Sequence, residues 1–412
     1  MPHPAPVPTS AEVRSATRAT YVAFTAAGFV FATWISRIPQ MKAQLGLDPS
    51  ALGLVLLIGA AGSVAGLLVA GPVVARFGPR RTVAVMALVL GAGMLTLACG
   101  YRTGVLPVVV GLFVFGFGQG GWDVAMNMQG AAVEQHGGRA LLSRFHASYS
   151  VGTVAGGLVG AATIAIRLPM AAHLALVGVI TAAVIPFSVR GFLPHQPASQ
   201  AAATPMRAWR ERRTLLIGVF ILAFAFAEGT GNDWISVALV DDYQATPATG
   251  ALGVAVFLAA MTLSRWAGPL LIGRYGRVRV LRLLAVVSLA GVALFAAELS
   301  TPLALAGALL WGVGVSLGFP VGLSAAADDP AMAAARVSVC SSIAYAAFLA
   351  GPSLIGFLGH EVTVVRAVAA VAPLLAVAVA LAGVIHPQRI QQAADRAPAG
   401  TPEPKYQKET HS

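Results

Sequence analysis

The sequence predicts an all-α integral membrane protein: twelve transmembrane helices, arranged as two six-helix bundles related by a pseudo-twofold along the membrane normal. Three observations carry this. Charged residues are 10% of the 412-residue chain and hydrophobic residues 57%, where ordinary soluble domains carry about 25% charge. Apolar runs long enough to cross a bilayer, which takes ~20 residues, recur along the chain. The second set of runs also repeats the first.

The first set covers roughly 19–36, 51–75, 82–100, 105–132, 142–165 and 171–189. The second covers roughly 214–238, 248–273, 281–299, 302–326, 336–358 and 363–385. This divides the chain into a tail (1–18), an N-terminal bundle (19–190), a linker (191–213), a C-terminal bundle (214–385) and a second tail (386–412). Residues 1–17 are Pro-rich and polar, and the first apolar run has no clear small-residue cleavage site, so it is expected to remain as a helix. The linker reads as flexible, with a basic stretch up to Arg213 suited to the membrane surface.

The repeat is collinear. Trp34-Ile35-Ser36 returns as Trp234-Ile235-Ser236, and Ala51-Leu52-Gly53 as Ala251-Leu252-Gly253, both 200 residues on. Arg76-Phe77-Gly78 returns as Arg274-Tyr275-Gly276 at an offset of 198, and the run 111–118 as 307–314 at 196. An offset that drifts by small steps in one direction is the mark of a duplication. Because each repeat holds an even number of spans, the halves share one orientation, and a small-molecule substrate is expected between them near the midplane.

The formal charge of +11 reflects topology. Alternating the loops between two sides puts 21 of the 27 basic residues on one side, with Arg76, Arg80, Arg81, Arg274 and the stretch before Arg213 among them. Five lie opposite: Arg37, Lys42, Arg102, Arg167 and Arg366. Arg265 falls within a span near its inner end, where its head group is expected to snorkel to the cytoplasm. By the positive-inside rule both termini are cytoplasmic. The expected setting is the cytoplasmic (inner) membrane and the expected form a monomer; no nucleic-acid partner is implied. Cys99 and Cys340 lie in apolar runs and offer no disulfide framework. Without a metal cluster, nucleophile–base pairing or phosphate loop, neither enzyme, metal nor cofactor is expected.

Between the second and third spans, Gly71, Arg76, Gly78, Arg80 and Arg81 resemble the Gly-x-x-x-Asp-Arg-x-Gly-Arg-Arg loop of the major facilitator superfamily. Ala75 replaces the family's Asp and Pro79 its frequent Arg, so the charge network implied at the inner gate lacks those members. Asp123-Val-Ala-Met-Asn127 resembles the Glu-x-Ala-x-Asn of the fucose-permease-like branch, as does the run from Leu142 to Gly152 that follows it. The resemblance implies secondary active transport by rocking of the two halves. Arg76, Gly78, Arg80, Arg274 and Gly276 would then serve gating.

The duplication sorts polar residues, because one that is replaced in the other half is not required by the shared fold. Asp123 aligns with Phe319, Glu228 with Gly28 and Asp233 with Thr33. Carboxyls at membrane depth are costly and by default functional. Gln119, Asp123 and Asn127 form one stripe at i, i+4 and i+8. Asp123 and Glu228 are the proton-coupling candidates, against the alternative that each only holds helices together. Gln119, Trp122, Asn127, Tyr149 and Asn232 are the solute-binding candidates, and Asp233, nearer the outer surface, suits a gate or solvent. Trp34 and Trp234 read more simply as members of an outer aromatic belt. Arg37 either caps the first helix or joins an outer-gate ion pair. His146 reads as a plain interfacial histidine.

Gly116-x-Gly118-x-x-Gly121 matches a dinucleotide fingerprint but lies inside an apolar helix, so it reads as a packing surface. Three functions remain open: a proton-coupled symporter of a small polar solute such as a sugar, an efflux antiporter for amphipathic compounds, and a membrane sensor. The Gly-Pro of many drug antiporters is absent from the fifth helix, which argues mildly against the second.

Overall fold

The computed structural model describes residues 8–137, 141–194, 205–329 and 332–387. Arg139, residues 195–204 of the expected linker and nearly all of the C-terminal tail lie outside the described residues. What is described is helical, and 11 helices are long and apolar enough to cross a membrane.

Helix α1 (Ser10–Ile35) starts nine residues ahead of the expected boundary. Thr9 and Glu12 form a capping box, Thr9 N donating to Glu12 Oε2 at 2.7 Å. The polar segment before the first apolar run therefore extends the helix. A short α2 (Ile38–Leu45) follows, closed by Gly46 at φ 63°.

Helix α3 (Pro49–Gly100) has 52 residues. At ~1.5 Å per residue that is ~78 Å, far more than a ~30 Å hydrocarbon core. It is interrupted at Gly78, whose φ of 80° and ψ of 160° are not helical. Next come α4 (Val105–Gly137), α5 (Leu142–Ala165) and α6 (Met170–Ser188).

The second segment opens with a single turn, α7 (Pro205–Ala208), then α8 (Arg212–Asp241), α9 (Pro247–Tyr275) and α10 (Arg277–Ala296). Between α9 and α10, Gly276 has φ 79° and ψ 150°, the conformation of Gly78 198 positions earlier. The chain continues through α11 (Thr301–Val315), α12 (Gly318–Ala326), α13 (Ala333–Glu361), α14 (Val364–Ala367) and α15 (Val371–Leu381). The likeness extends to side chains. Arg76 lies over the Phe77 ring at 5.4 Å and Arg274 over Tyr275 at 5.3 Å, while Asp48-Pro49 and Thr246-Pro247 both open helices.

Large apolar side chains face outward, as with Leu106 and Leu270 at 73% and 80% exposed. Such a surface is suited to hydrocarbon rather than water. Inside, α3 and α4 approach so closely that a Cβ on Gly116 or Gly120 would meet the backbone carbonyls of Gly59 and Ser63. The glycine-rich run of α4 thus packs helices.

The segments before and after the linker meet through α5 against α9 and α13 against α3. Close approaches between them sit toward the end of the bundle that carries α2. There Gly53 abuts Pro352 and Gly356, and Gly157 abuts Ala255. Lys42 pairs with Asp241 at 2.7 Å and Asp48 with His360 at 3.9 Å. At the opposite end Asp328 is paired with Arg213 and Arg277, and Arg336 with Glu211 and Asp329, all inside the second segment.

Candidate functional site

Between the two segments lies a cavity of about 250 Å³, bounded by α1, α3, α4, α8 and α13. Its walls are mostly aliphatic and aromatic, with Phe31 and Trp34 from α1, Phe115 from α4, and Tyr345 and Phe348 from α13. Polar groups come from Ser63 on α3 and from Asn232 and Asp233 on α8. Asn232 is 7% exposed, and its buried Oδ1 has no hydrogen-bond partner among the described residues. Asp233 has no ion-pair partner among them.

Asp233 lines this cavity, nearer the α2 end than Glu228. Two expectations are corrected. Trp34 and Trp234 do not form a lipid-facing belt: Trp34 is 5% exposed and lines the cavity, and Trp234 is fully buried. The sequence end of α1 suggests an interface, but α2 continues the structure beyond it and the ring turns inward.

Glu228 lies five residues before Asp233 on α8, ~7.5 Å further from the α2 end at the α-helical rise. Its partner is Arg265 of α9, whose Nη2 donates to Oε1 at 3.2 Å and to Oε2 at 3.3 Å. Arg265 Nε also donates to the Ser316 carbonyl at 2.9 Å. Arg265 therefore points into the bundle, contrary to the snorkelling expectation. A carboxylate on the neighbouring helix satisfies the guanidinium without a path to the interface. Arg265 was missed as a site residue, although its position as the one basic residue within a predicted span was a signal.

Asp123 lies on α4, where Asn127 Nδ2 donates to its backbone carbonyl at 2.9 Å and to Oδ1 at 3.4 Å. No cation pairs with it among the described residues. The third member of the stripe, Gln119, has a buried Oε1 without a partner among them. Trp122 is fully buried beside the stripe, its Nε1 likewise unpartnered there. Tyr149 on α5 lies within electrostatic reach of Asp123, Glu228 and Arg265, and Tyr345 within reach of Asp123. Thus α4, α5, α8 and α9 bring the expected carboxylates around one tyrosine, next to the cavity. His146 sits further along α5, edge-on to Phe24 at 5.2 Å.

Arg37 is fully buried. Its Nε donates to His173 Nδ1 at 3.0 Å, Nη2 to Thr163 Oγ1 at 3.0 Å and Nη1 to Gln40 Oε1 at 2.5 Å. These partners, and the Leu168 carbonyl that Nη2 also meets at 3.4 Å, lie in the first segment and none is anionic, so Arg37 ties the α1–α2 junction to α5 and α6 and forms no ion pair across the segments among the described residues. The remaining gating candidates, Arg76, Arg80, Arg274 and Gly276, are exposed at the end of the bundle opposite α2, and Gly78 is buried there.

Comparison with known proteins agrees with this architecture. The family model described as Major Facilitator Superfamily matches residues 20–327. A Yersinia pestis protein named as an uncharacterized MFS-type transporter is 32% identical over 350 residues, 83% of this chain and 88% of its own. Among solved structures, a variant of the nucleoside transporter NupG superposes with a TM-score of 0.74 at 14% identity, covering 91% of this chain and 98% of that one. The E. coli fucose:proton symporter FucP gives 0.63 at 15% identity, covering 92% and 100%.

Proposed function

The chain belongs to the major facilitator superfamily, and from that premise we propose that it is a secondary active transporter that moves a small polar solute together with protons by alternating access. The observation that carries this reading is a cavity between the two segments whose wall holds Asp233, with Asp123 and Glu228 both within electrostatic reach of Tyr149 beside it. A carboxyl in such a place can take up a proton on one side and release it when hydrated on the other.

In this reading twelve spans form two six-helix bundles, 19–190 and 214–385, with the linker and both tails cytoplasmic. The break at Gly78 supports counting α3 as two crossings, and the matching Gly276 supports the pseudo-twofold. The α2 end is then extracellular, and the cavity is closed on that side. Asp123 and Glu228 couple protons, with Arg265 as the alternate partner of Glu228 when the proton leaves. Gln119, Trp122, Asn127, Tyr149 and Asn232 bind solute. Asp233 gates within the cavity, Arg37 keeps the first bundle rigid while it rocks, and Arg76, Gly78, Arg80, Arg274 and Gly276 work at the cytoplasmic gate.

The test is transport by purified protein in proteoliposomes. Asp123→Asn should abolish accumulation driven by a pH gradient and retain solute exchange. Undiminished uphill uptake by that variant would sink the coupling assignment. The five aromatic rings in the cavity wall favour a second reading, proton-driven efflux of amphipathic compounds. It requires that expression in an efflux-deficient host raise the inhibitory concentration of at least one such compound.

A further inference from the structure

We propose that the cavity selects a small organic cation, a solute carrying a protonated amine beside an apolar ring face, with Asp233 as its counter-ion and Asn232 Oδ1 as a second acceptor. This rests on the reading of the cavity as the solute site and adds the charge of the solute to it.

The lining contains one carboxylate and no Lys, Arg or His. Asp233 has no cation partner among the described residues, and the adjacent Asn232 presents a buried acceptor with none of its hydrogen bonds made there. Two acceptors side by side on α8 call for a ligand that donates. With a neutral solute bound Asp233 would have to hold a proton to stay uncharged, an anion would add a second negative charge, and only a cation compensates the carboxylate directly.

The surroundings deepen the negative potential. Asp123 is close enough to act electrostatically on Tyr345, a lining residue, and it too has no cation among the described residues. Among the described residues the guanidinium at this depth, that of Arg265, is already met by Glu228. The aromatic rings of Phe31, Trp34, Phe115, Tyr345 and Phe348 supply π-faces, which attract ammonium groups and cover the apolar face of a ring.

A charge-selective reporter in the cavity tests this without knowledge of the natural solute. Cys99 and Cys340 are replaced by Ala and Ser63 by Cys, and the purified protein is treated with 2-aminoethyl methanethiosulfonate (cationic) or 2-sulfonatoethyl methanethiosulfonate (anionic). Each rate is divided by that of the same reagent with a free thiol in solution. The expected result is a normalised preference for the cation of about tenfold or more, the size of effect one nearby charge gives at intermediate dielectric. It should persist in Asp233→Glu and fall towards one in Asp233→Asn. Equal normalised rates, a preference unchanged by Asp233→Asn, or no reaction with either reagent would each overturn the proposal. Lost cation preference with pH-driven flux intact removes only the charge selection, whereas cation preference without any flux removes the transporter reading and leaves the cation site.

Discussion

Arg265 on α9 donates through one nitrogen to both carboxylate oxygens of Glu228 on α8, at 3.2 and 3.3 Å. The pair is more than two-thirds buried on each side, with 29% and 17% of the side chains exposed. Losing one partner strands the other charge, which costs about 3–5 kcal/mol in a fully buried pair. With this exposure about 1–3 kcal/mol is expected for Arg265→Met. The double variant Arg265→Met/Glu228→Gln should be more stable than the sum of the single losses predicts, a coupling that thermal unfolding in detergent can read.

Gly78 and Gly276 share a backbone conformation that side chains with a Cβ rarely adopt. Gly78→Ala and Gly276→Ala should each cost about 1–3 kcal/mol. Gly71, with open space at its Cβ position and helical neighbours, is the control. Gly71→Ala should leave stability unchanged or raise it by about 0.5–1 kcal/mol. Melting temperatures of the three variants decide this.

The Lys42–Asp241 contact ties the two segments at the α2 end, with side chains 15% and 30% exposed. A pair so placed is worth about 0.5–1 kcal/mol. Lys42→Asp should therefore shift the closed–open balance at that end by about two- to fivefold, and the exchange Lys42→Asp/Asp241→Lys should restore it. Labelling of a Ser63→Cys reporter from the α2 side measures the balance.

Glu211, just before α8, accepts from Arg336 Nε at 2.6 Å. That bond, more than any other influence, holds its carboxyl below the ordinary value of 4.5. A carboxylate depressed on folding contributes stability above its unfolded pKa and loses it as pH falls through the folded value. The pair lies at the end of the bundle with its side chains 13% and 26% exposed, and its contribution is about 1 kcal/mol. Wild type should melt above Glu211→Gln at neutral pH, and the two curves should converge in acid, below pH 4.5.

Much of this was legible because lipid makes polarity expensive. Asp123, Glu228 and Asp233 stood out from apolar runs; the structure places Asp233 in the cavity wall and Asp123 and Glu228 within electrostatic reach of Tyr149. Span positions followed from run length alone, apart from α1, whose polar first turns are helical because Thr9 and Glu12 cap them. Rotation of one helix about its axis relative to another was not legible. That is why Arg265 read as an interfacial cation, Trp34 as a belt residue and Arg37 as a gate partner. Each depends on what a neighbouring helix presents, and a hydropathy pattern carries no such information. Tyr345 and Phe348 were missed for the same reason, as aromatic residues in a helix that offered no acidic marker.

The ion pairs are distributed unevenly. Six lie within the second segment and two join the segments, while the first has none of its own among the described residues. Its buried cation, Arg37, is held by neutral groups. Dissolved salt screens exposed pairs over ~8 Å at physiological ionic strength and leaves buried neutral hydrogen bonds nearly untouched. Ionic strength therefore acts on the second half and on the two pairs that join the halves, most of all on the exposed Arg366–Glu298 pair, while the first half keeps its stiffness.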